Sequence, residues 1–250
     1  MCGLIGFCGS DEPDFLKLQL LIAYNEERGR HGAGIFTNKI YEDGKMKLLK
    51  ITGNPKQSLM VKINENKILE ADIVIAHTRQ ASEQYNKANQ DNPDNLHPFN
   101  YLEHITAHNG NINNYEKLLK EKPEDFMEEK LKAAFNTDSK YLAYAIAKEG
   151  LKTTTAEIEG AFAIIDYDLR TKELKFIRNE ERPLYYAKTK EGIYISSLKE
   201  SLEAIKCKKI KEVAVGLIYT AKEGKIIKTE KAKIKEVTKF KTYSNNVYNY

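Results

Sequence analysis

Residues 160–197 carry four short apolar stretches in succession, GAFAIIDYD, KELKFIRN, PLYYA and GIYISS, with no helix-length segment separating them. Such a run reads as consecutive strands, with Asp168 to Lys172 as a hairpin turn. Upstream, CGLIGFC at 2–8 and ADIVIAHTR at 71–79 read as buried strands, and HITAHNGNI at 104–112 as a strand running into an Asn-Gly turn. Helical spacing marks 14–27, 114–135 and 138–149, and LKESLEAIK near residue 200 is a short helix. The glycine-rich RGRHGAG at 28–34 predicts a turn into strand-like GIFTN. Residues 83–96 are polar and rich in Asn and Asp, which predicts a long functional or disordered loop. The order is strands, helices, then strands, with few βαβ repeats. The expected class is therefore α+β with largely antiparallel sheets. One domain over 2–240 and a loosely held polar tail over 241–250 are the simplest division.

Charge narrows the partners. Forty basic and 36 acidic residues leave a net charge of +4. The lysines of 222–241 are interrupted by Glu223, Glu230 and Glu236, which suits a solvated face rather than a nucleic-acid stripe. No apolar run approaches the roughly 20 residues that span a bilayer, and MCGLIGFCGS has no signal-peptide pattern. The expectation is a cytoplasmic protein that binds neither nucleic acid nor membrane. Cys2, Cys8 and Cys207 are an odd set without a CxxC pair, so each is read as a thiol rather than as part of a disulfide framework or a zinc site.

Cys2 has a particular chemical potential. Removal of Met1 would leave a residue carrying both a thiol and a free α-amine. That amine titrates at about 7.7–8.0 and can serve as a base. Covalent catalysis needs a nucleophile beside a base, and the thiolate is the reactive form of cysteine. An acyl transfer also needs donors for the tetrahedral oxyanion, which the Asn109 amide and the Gly110 N–H could supply. Arg79 could grip a substrate carboxylate with two parallel hydrogen bonds, and Asp138 could pair with an ammonium. Taken singly, Cys2 can be incidental, HNG an ordinary hairpin turn, Arg79 a surface ion-pair residue and Asp138 a helix N-cap. His31, His77, His97, His104 and His108 show no HExxH-type spacing and read as hydrogen-bonded structural histidines. Cys8 reads as core and Cys207 as incidental. No phosphate-binding glycine loop is present.

Several short segments resemble the glutaminase domain of class II amidotransferases, the N-terminal-nucleophile type found in glutamine phosphoribosylpyrophosphate amidotransferase and glucosamine-6-phosphate synthase. They are MCGLIGF, ERGRHGAGI at 27–35, AHTRQAS at 76–82, HPF at 97–99, AHNGNINN at 107–114, TDSKYLAYAI at 137–146, GAFAIID at 160–166, RPLYY at 182–186 and ISS at 195–197. Their order makes the resemblance specific, and it covers roughly residues 2–225. It implies a four-layer αββα sandwich and hydrolysis of L-glutamine to glutamate and ammonia through a Cys2 γ-glutamyl thioester. By position, Cys2 would be the nucleophile with its own α-amine as base, and Asn109 and Gly110 the oxyanion hole. Arg79 and Asp138 would hold the carboxylate and ammonium of glutamine, with Ser82 and His108 also at the substrate. Arg28 would support the nucleophile, and the segment from Gln80 onward would close over the substrate. Neither cofactor nor metal is implied. A separate synthase subunit is the expected recipient of the ammonia.

The chain departs from the family pattern at Gln80, where an aromatic residue is usual, and at His31 and Lys140, where acids are common. These differences bear on the lid and on affinity, not on the nucleophile, oxyanion hole or carboxylate clamp. Three other readings compete: a binding or regulatory module that keeps the fold without catalysis, a hydrolase of another γ-glutamyl amide, and a structural interaction protein.

Overall fold

A computed structural model describes residues 2–40, 44–55, 71–80, 92–122, 128 and 135–235. Strand β1 (Gly3–Gly9) leads into helix α1 (Phe15–Asn25), which ends in a 3-10 turn at Glu26–Arg28. Strands β2 (Gly32–Ile40), β3 (Met46–Thr52), β4 (Ile73–Arg79), β5 (Phe99–Tyr101) and β6 (His104–Ile112) follow. Next come helices α2 (Tyr115–Glu121), α3 (Asp138–Glu149) and α4 (Leu151–Glu157). Strands β7 (Gly160–Asp168), β8 (Glu173–Arg178), β9 (Tyr185–Lys188) and β10 (Gly192–Ser196) precede helix α5 (Lys199–Ala204). Strands β11 (Lys211–Glu212), β12 (Leu217–Lys222) and β13 (Lys225–Lys231) complete the described elements.

The strands form a seven-stranded sheet, β11-β9-β10-β1-β4-β2-β3, and a six-stranded sheet, β13-β12-β8-β7-β6-β5. Every described pairing is antiparallel. Alternation along the strands explains the layers, because successive side chains point to opposite faces. On β1, Leu4 and Cys8 face the inter-sheet core together with Ile75, Ile105, Ala107, Ile165 and Phe176. Ile5 and Phe7 face the other way, onto Leu18, Leu21, Ile22 of α1 and Leu202 of α5. The second sheet turns Ile112, Phe162, Ile164 and Ile177 toward Leu142 and Ile146 of α3 and Leu151 of α4. The result is the α-β-β-α stack expected from the resemblance. Each fully buried Leu, Ile or Phe in these layers contributes about 1.5–3 kcal/mol.

Three details differ from the sequence reading. First, Asn109 and Gly110 are not in a turn. They lie inside β6, opposite Ala163 and Phe162 of β7. The nine-residue pairing with β7 overrides the local turn preference of Asn-Gly. Gly110 accommodates the close approach: φ is 153°, and a Cβ there would fall 1.8 Å from the Ala161 carbonyl oxygen. Second, the glycine-rich turn is shorter than expected, since Gly32 and Gly34 already belong to β2. Gly34 lets the His97 carbonyl pass, because a Cβ would stand 2.0 Å from that oxygen. Third, α4 follows α3 after a single residue, Gly150, whose φ of 88° breaks the first helix. The polar tail over 241–250, Ser82, most of the 83–96 loop and the second half of the 114–135 helix fall outside the described residues.

A buried ion pair ties β6 to β7: His104 Nδ1 lies 3.0 Å from Asp166 Oδ2, and Asp166 Oδ1 accepts from Thr106 Oγ1 at 2.7 Å. Burial pulls the imidazole down, but the Asp166 hydrogen bond and the charges of Asp166 and Asp168 outweigh it and hold His104 above its ordinary value. A raised folded-state value means the pair stabilises fully below the unfolded imidazole value of about 6.5 and loses its contribution as pH climbs through the folded value. Thermal melts should therefore show Tm falling as pH rises from about 6 upward. His104→Gln should remove that pH-dependent component.

Candidate active site

Three strand ends meet at one edge of the sandwich. In the antiparallel β1–β4 pair Gly3 faces Thr78, so Cys2 lies beside Arg79. Alternation places Cys2 on the face of Leu4, and His77 and Arg79 on the face of Ile75, both toward the opposite sheet. On the outer face the same strand end is tied down. Thr78 Oγ1 donates to the Asn25 carbonyl at 2.7 Å, and Asn25 Nδ2 donates to Leu21 O and Ser196 Oγ, both at 2.9 Å. Leu4 N donates to Ser197 Oγ at 3.1 Å. The first residues of the chain are thereby held between α1 and β10.

Cys2 itself is clamped. Arg28 Nε donates to the Cys2 carbonyl at 2.8 Å and Arg28 Nη1 to the Ser197 carbonyl at 3.4 Å. The Gln80 N–H points to Cys2 Sγ at 3.4 Å. Burial pushes the Cys2 thiol up, while the Gln80 N–H and the positive charges of Arg79 and Arg28 pull it back. The other cysteines differ. Cys8 is buried in the inter-sheet core, and burial raises its thiol to about 11. Cys207 lies half-buried at the edge of the α1 layer.

Cys2 lines a cavity of about 120 Å³. Its walls include Arg79, Gln80, His97, Gly110, Asp138 and Ser139. Asp138 is the first residue of α3 and not its cap; the cap is Thr137, whose hydroxyl accepts from Lys140 N at 3.3 Å. Asp138 Oδ2 accepts from Ile112 N at 2.7 Å and Oδ1 from Ser139 N at 2.8 Å. An ionised carboxylate has about four acceptor positions, so these bonds orient Asp138 and leave room for a cation. His108 Nδ1 lies 3.1 Å from Ser139 Oγ, which anchors β6 to α3.

The two donors expected for an oxyanion are both on β6. Asn109 is 2% exposed, and its Nδ2 has no hydrogen-bond partner. Asn109 shares its strand face with Ile105 and Ala107, the face turned toward β1. Phe162, opposite Gly110, uses its N–H and carbonyl on Asn179. Gly110 and Phe162 are thus a non-hydrogen-bonded pair, and the Gly110 N–H points away from β7. On that side β5 pairs only with His104–Thr106, so at Gly110 the neighbouring strand has already stopped.

The histidine expectation needs correction. His104 and His108 are hydrogen-bonded, but His77 and His97 are buried with both ring nitrogens unpartnered. Spacing carries no signature of hydrogen-bond satisfaction, and HPF at 97–99 is the only sequence hint. Among the described residues no three His, Cys, Asp or Glu side chains converge to hold a metal ion.

A glutamine amidotransferase domain model matches residues 62–248. The chain belongs to the class II glutamine amidotransferase family. The matched span begins after Cys2, so the first strand of this amidotransferase domain rests on its own geometry. Glutamine–fructose-6-phosphate aminotransferase of Helicobacter pylori is 28% identical over 209 residues, covering 79% of this chain and 32% of that protein. The 7-cyano-7-deazaguanine synthase of Saccharolobus solfataricus is 29% identical over 219 residues, covering 82% and 44%. The amidotransferase domain thus spans less than half the length of the curated relatives it matches. In structure it is similar to glutamine phosphoribosylpyrophosphate amidotransferase from B. subtilis, with TM-score 0.69 and 20% identity over 92% of this chain and 49% of that one. A glutamine aminotransferase class-II domain protein from Silicibacter pomeroyi has TM-score 0.59 and 13% identity, over 92% of this chain and 99% of its own. At these identities the structural likeness establishes the fold. Among the described residues no helix is long and apolar enough to cross a membrane.

Proposed function

We propose that this domain hydrolyses L-glutamine through a γ-glutamyl thioester on Cys2 and supplies the ammonia to a synthase partner. The observation that supports the chemistry is the convergence of Cys2, Arg79, Gly110 and Asp138 on one cavity. Arg79 binds the α-carboxylate of glutamine and Asp138 its ammonium, which brings the side-chain amide to the sulfur; Ser82 and His108 also contact the substrate. After Met1 is removed, the Cys2 α-amine takes the thiol proton and sulfur attacks the amide carbon. Asn109 Nδ2 and the Gly110 N–H stabilise the oxyanion. The C–N bond breaks, the nitrogen receives the proton from the α-ammonium, and ammonia leaves. Water then attacks the thioester carbon, the C–S bond breaks, and glutamate is released. Arg28 acts by fixing the Cys2 carbonyl and with it the direction of the amine and thiol.

The synthase partner is supported by the relatives, whose printed activities are an aminotransferase and a synthase and in which the matched segment is a minor part of the protein.

Intact mass after incubation with an electrophilic glutamine analogue tests the reading. Wild type should gain one adduct, and excess glutamine should protect it. Cys2→Ala should gain none. Labelling at Cys8 or Cys207 with equal speed would count against the assignment.

A further inference from the structure

His97 and His77 line the same cavity as Cys2, and among the described residues their four buried ring nitrogens have no hydrogen-bond partner. Their exposures are 6% and 1%. An unsatisfied buried polar group costs about 1–3 kcal/mol, and native proteins leave few of them. His97 is fixed by packing. Its ring lies 4.2 Å from His77 and 4.6 Å from Phe99, centroid to centroid. Its nitrogens are therefore held in place without being used by the fold. His77 leans toward the His108 backbone without reaching hydrogen-bond geometry. Burial first, with the charge of Arg79 adding to it, holds both imidazoles neutral: His77 falls to about 3 and His97 well below 6.5. Each ring then offers one N–H donor and one lone pair.

The charged groups of glutamine have their own partners in Arg79 and Asp138, and neither calls for a neutral imidazole. A water molecule does, because it both donates and accepts and needs two to four polar partners when buried. The cavity's volume of about 120 Å³ is well above the roughly 10–15 Å³ that admits one water.

We propose that His97, backed by His77, holds the water that resolves the γ-glutamyl thioester. This rests on the proposed glutaminase reaction and assigns its second half to a part of the site distinct from the oxyanion donors. The imidazole lone pair accepts one water proton as a hydrogen bond and so aims an oxygen lone pair at the thioester carbon. The new C–O bond forms as the C–S bond breaks, and the sulfur keeps the electron pair. The water's proton passes to the Cys2 α-amine and from there to sulfur. His97 thus positions a reactant and takes no net proton.

The test follows ammonia and glutamate separately after rapid mixing with glutamine, with intact mass of the protein in the steady state. In His97→Leu, one equivalent of ammonia should still appear in a burst. Glutamate formation should fall on the order of tenfold to a hundredfold, the usual cost of losing a positioned reactant, and a glutamyl adduct should accumulate on Cys2. Hydroxylamine, which attacks thioesters without a positioned water, should restore turnover as the hydroxamate. His97→Asn, which keeps a donor and an acceptor, should recover much of the glutamate rate. A purely structural role would instead lower the burst and the steady state together, leaving no adduct and no hydroxylamine rescue, and that result overturns the proposal. Unchanged glutamate formation in His97→Leu overturns it as well. Should His97→Leu fail to fold, His77→Leu carries the same comparison: no adduct accumulation in that variant counts against the assignment. Absence of any glutamine-dependent ammonia from wild type is a different failure, that of the glutaminase reading.

Discussion

Cys2→Ala is expected to lower glutamine hydrolysis on the order of ten-thousandfold or more, the size of loss seen when a covalent nucleophile is removed. Neither other cysteine is placed to replace it: Cys8 is sealed in the inter-sheet core with its thiol raised to about 11, and Cys207 packs at the α1 layer and does not line the cavity. A chain that retains Met1 should be impaired to a similar extent with the sulfur intact, because an amide nitrogen cannot accept the thiol proton. The pH dependence follows from the same site. Burial raises the Cys2 thiol, against the Gln80 N–H and the charges of Arg79 and Arg28, so little free thiolate exists at neutral pH and the amine must take the proton. The logarithm of kcat/KM should then rise with pH and level off once the amine is unprotonated, near the reference value of about 7.7–8.0. Mass spectrometry of the purified chain reports whether Met1 is gone, and a coupled glutamate assay reports turnover. Equal turnover by Cys2→Ala, or by protein of which all molecules keep Met1, would defeat the mechanism.

Much of this site was legible because catalysis recruits residues at the ends of strands, and strand ends carry pattern. CGLIGFC and ADIVIAHTR are apolar runs that stop at a reactive or charged residue, and antiparallel pairing sets those residues side by side. The start of α3 was legible too, although the cap is Thr137 and Asp138 is the residue after it. What could not be read is what depends on contacts remote in sequence. Asn-Gly predicts a turn from its own conformational preference; only the register with Ala163 and Phe162 keeps it in β6. Gly34 was assigned to a turn because glycine is permissive, whereas its use is to admit the His97 carbonyl. The tilted His77–His97 ring pair joins residues twenty positions apart, and Phe99 packs against His97 in turn. Whether a buried imidazole finds a partner is a property of the assembled walls, so spacing carried no sign of it. Ser82 lies outside the described residues, and its place at the substrate stands as a proposal from resemblance.

Asn109→Ala should lower kcat by about 10²–10³-fold with little change in KM, the signature of a donor used only in the transition state. The distinction matters because, in the proposed reaction, Arg79 and Asp138 hold the other end of the substrate and so position the ground-state amide. Asn109 Nδ2 is buried without a protein partner, so its removal gives up no hydrogen bond of that nitrogen in the free enzyme. The melting temperature should accordingly move little. Asn109→Asp makes a sharper version of the test. It conserves shape but places acceptor oxygens, and a negative charge when ionised, where the oxyanion develops. Its kcat should fall at least as far as that of the alanine variant. The Gly110 N–H is a backbone donor that both variants retain, which explains why residual turnover above background is expected for Asn109→Ala but not for Cys2→Ala. If Asn109→Ala raises KM and leaves kcat intact, Asn109 binds ground-state glutamine. The oxyanion would then have to be held by Gly110 without it.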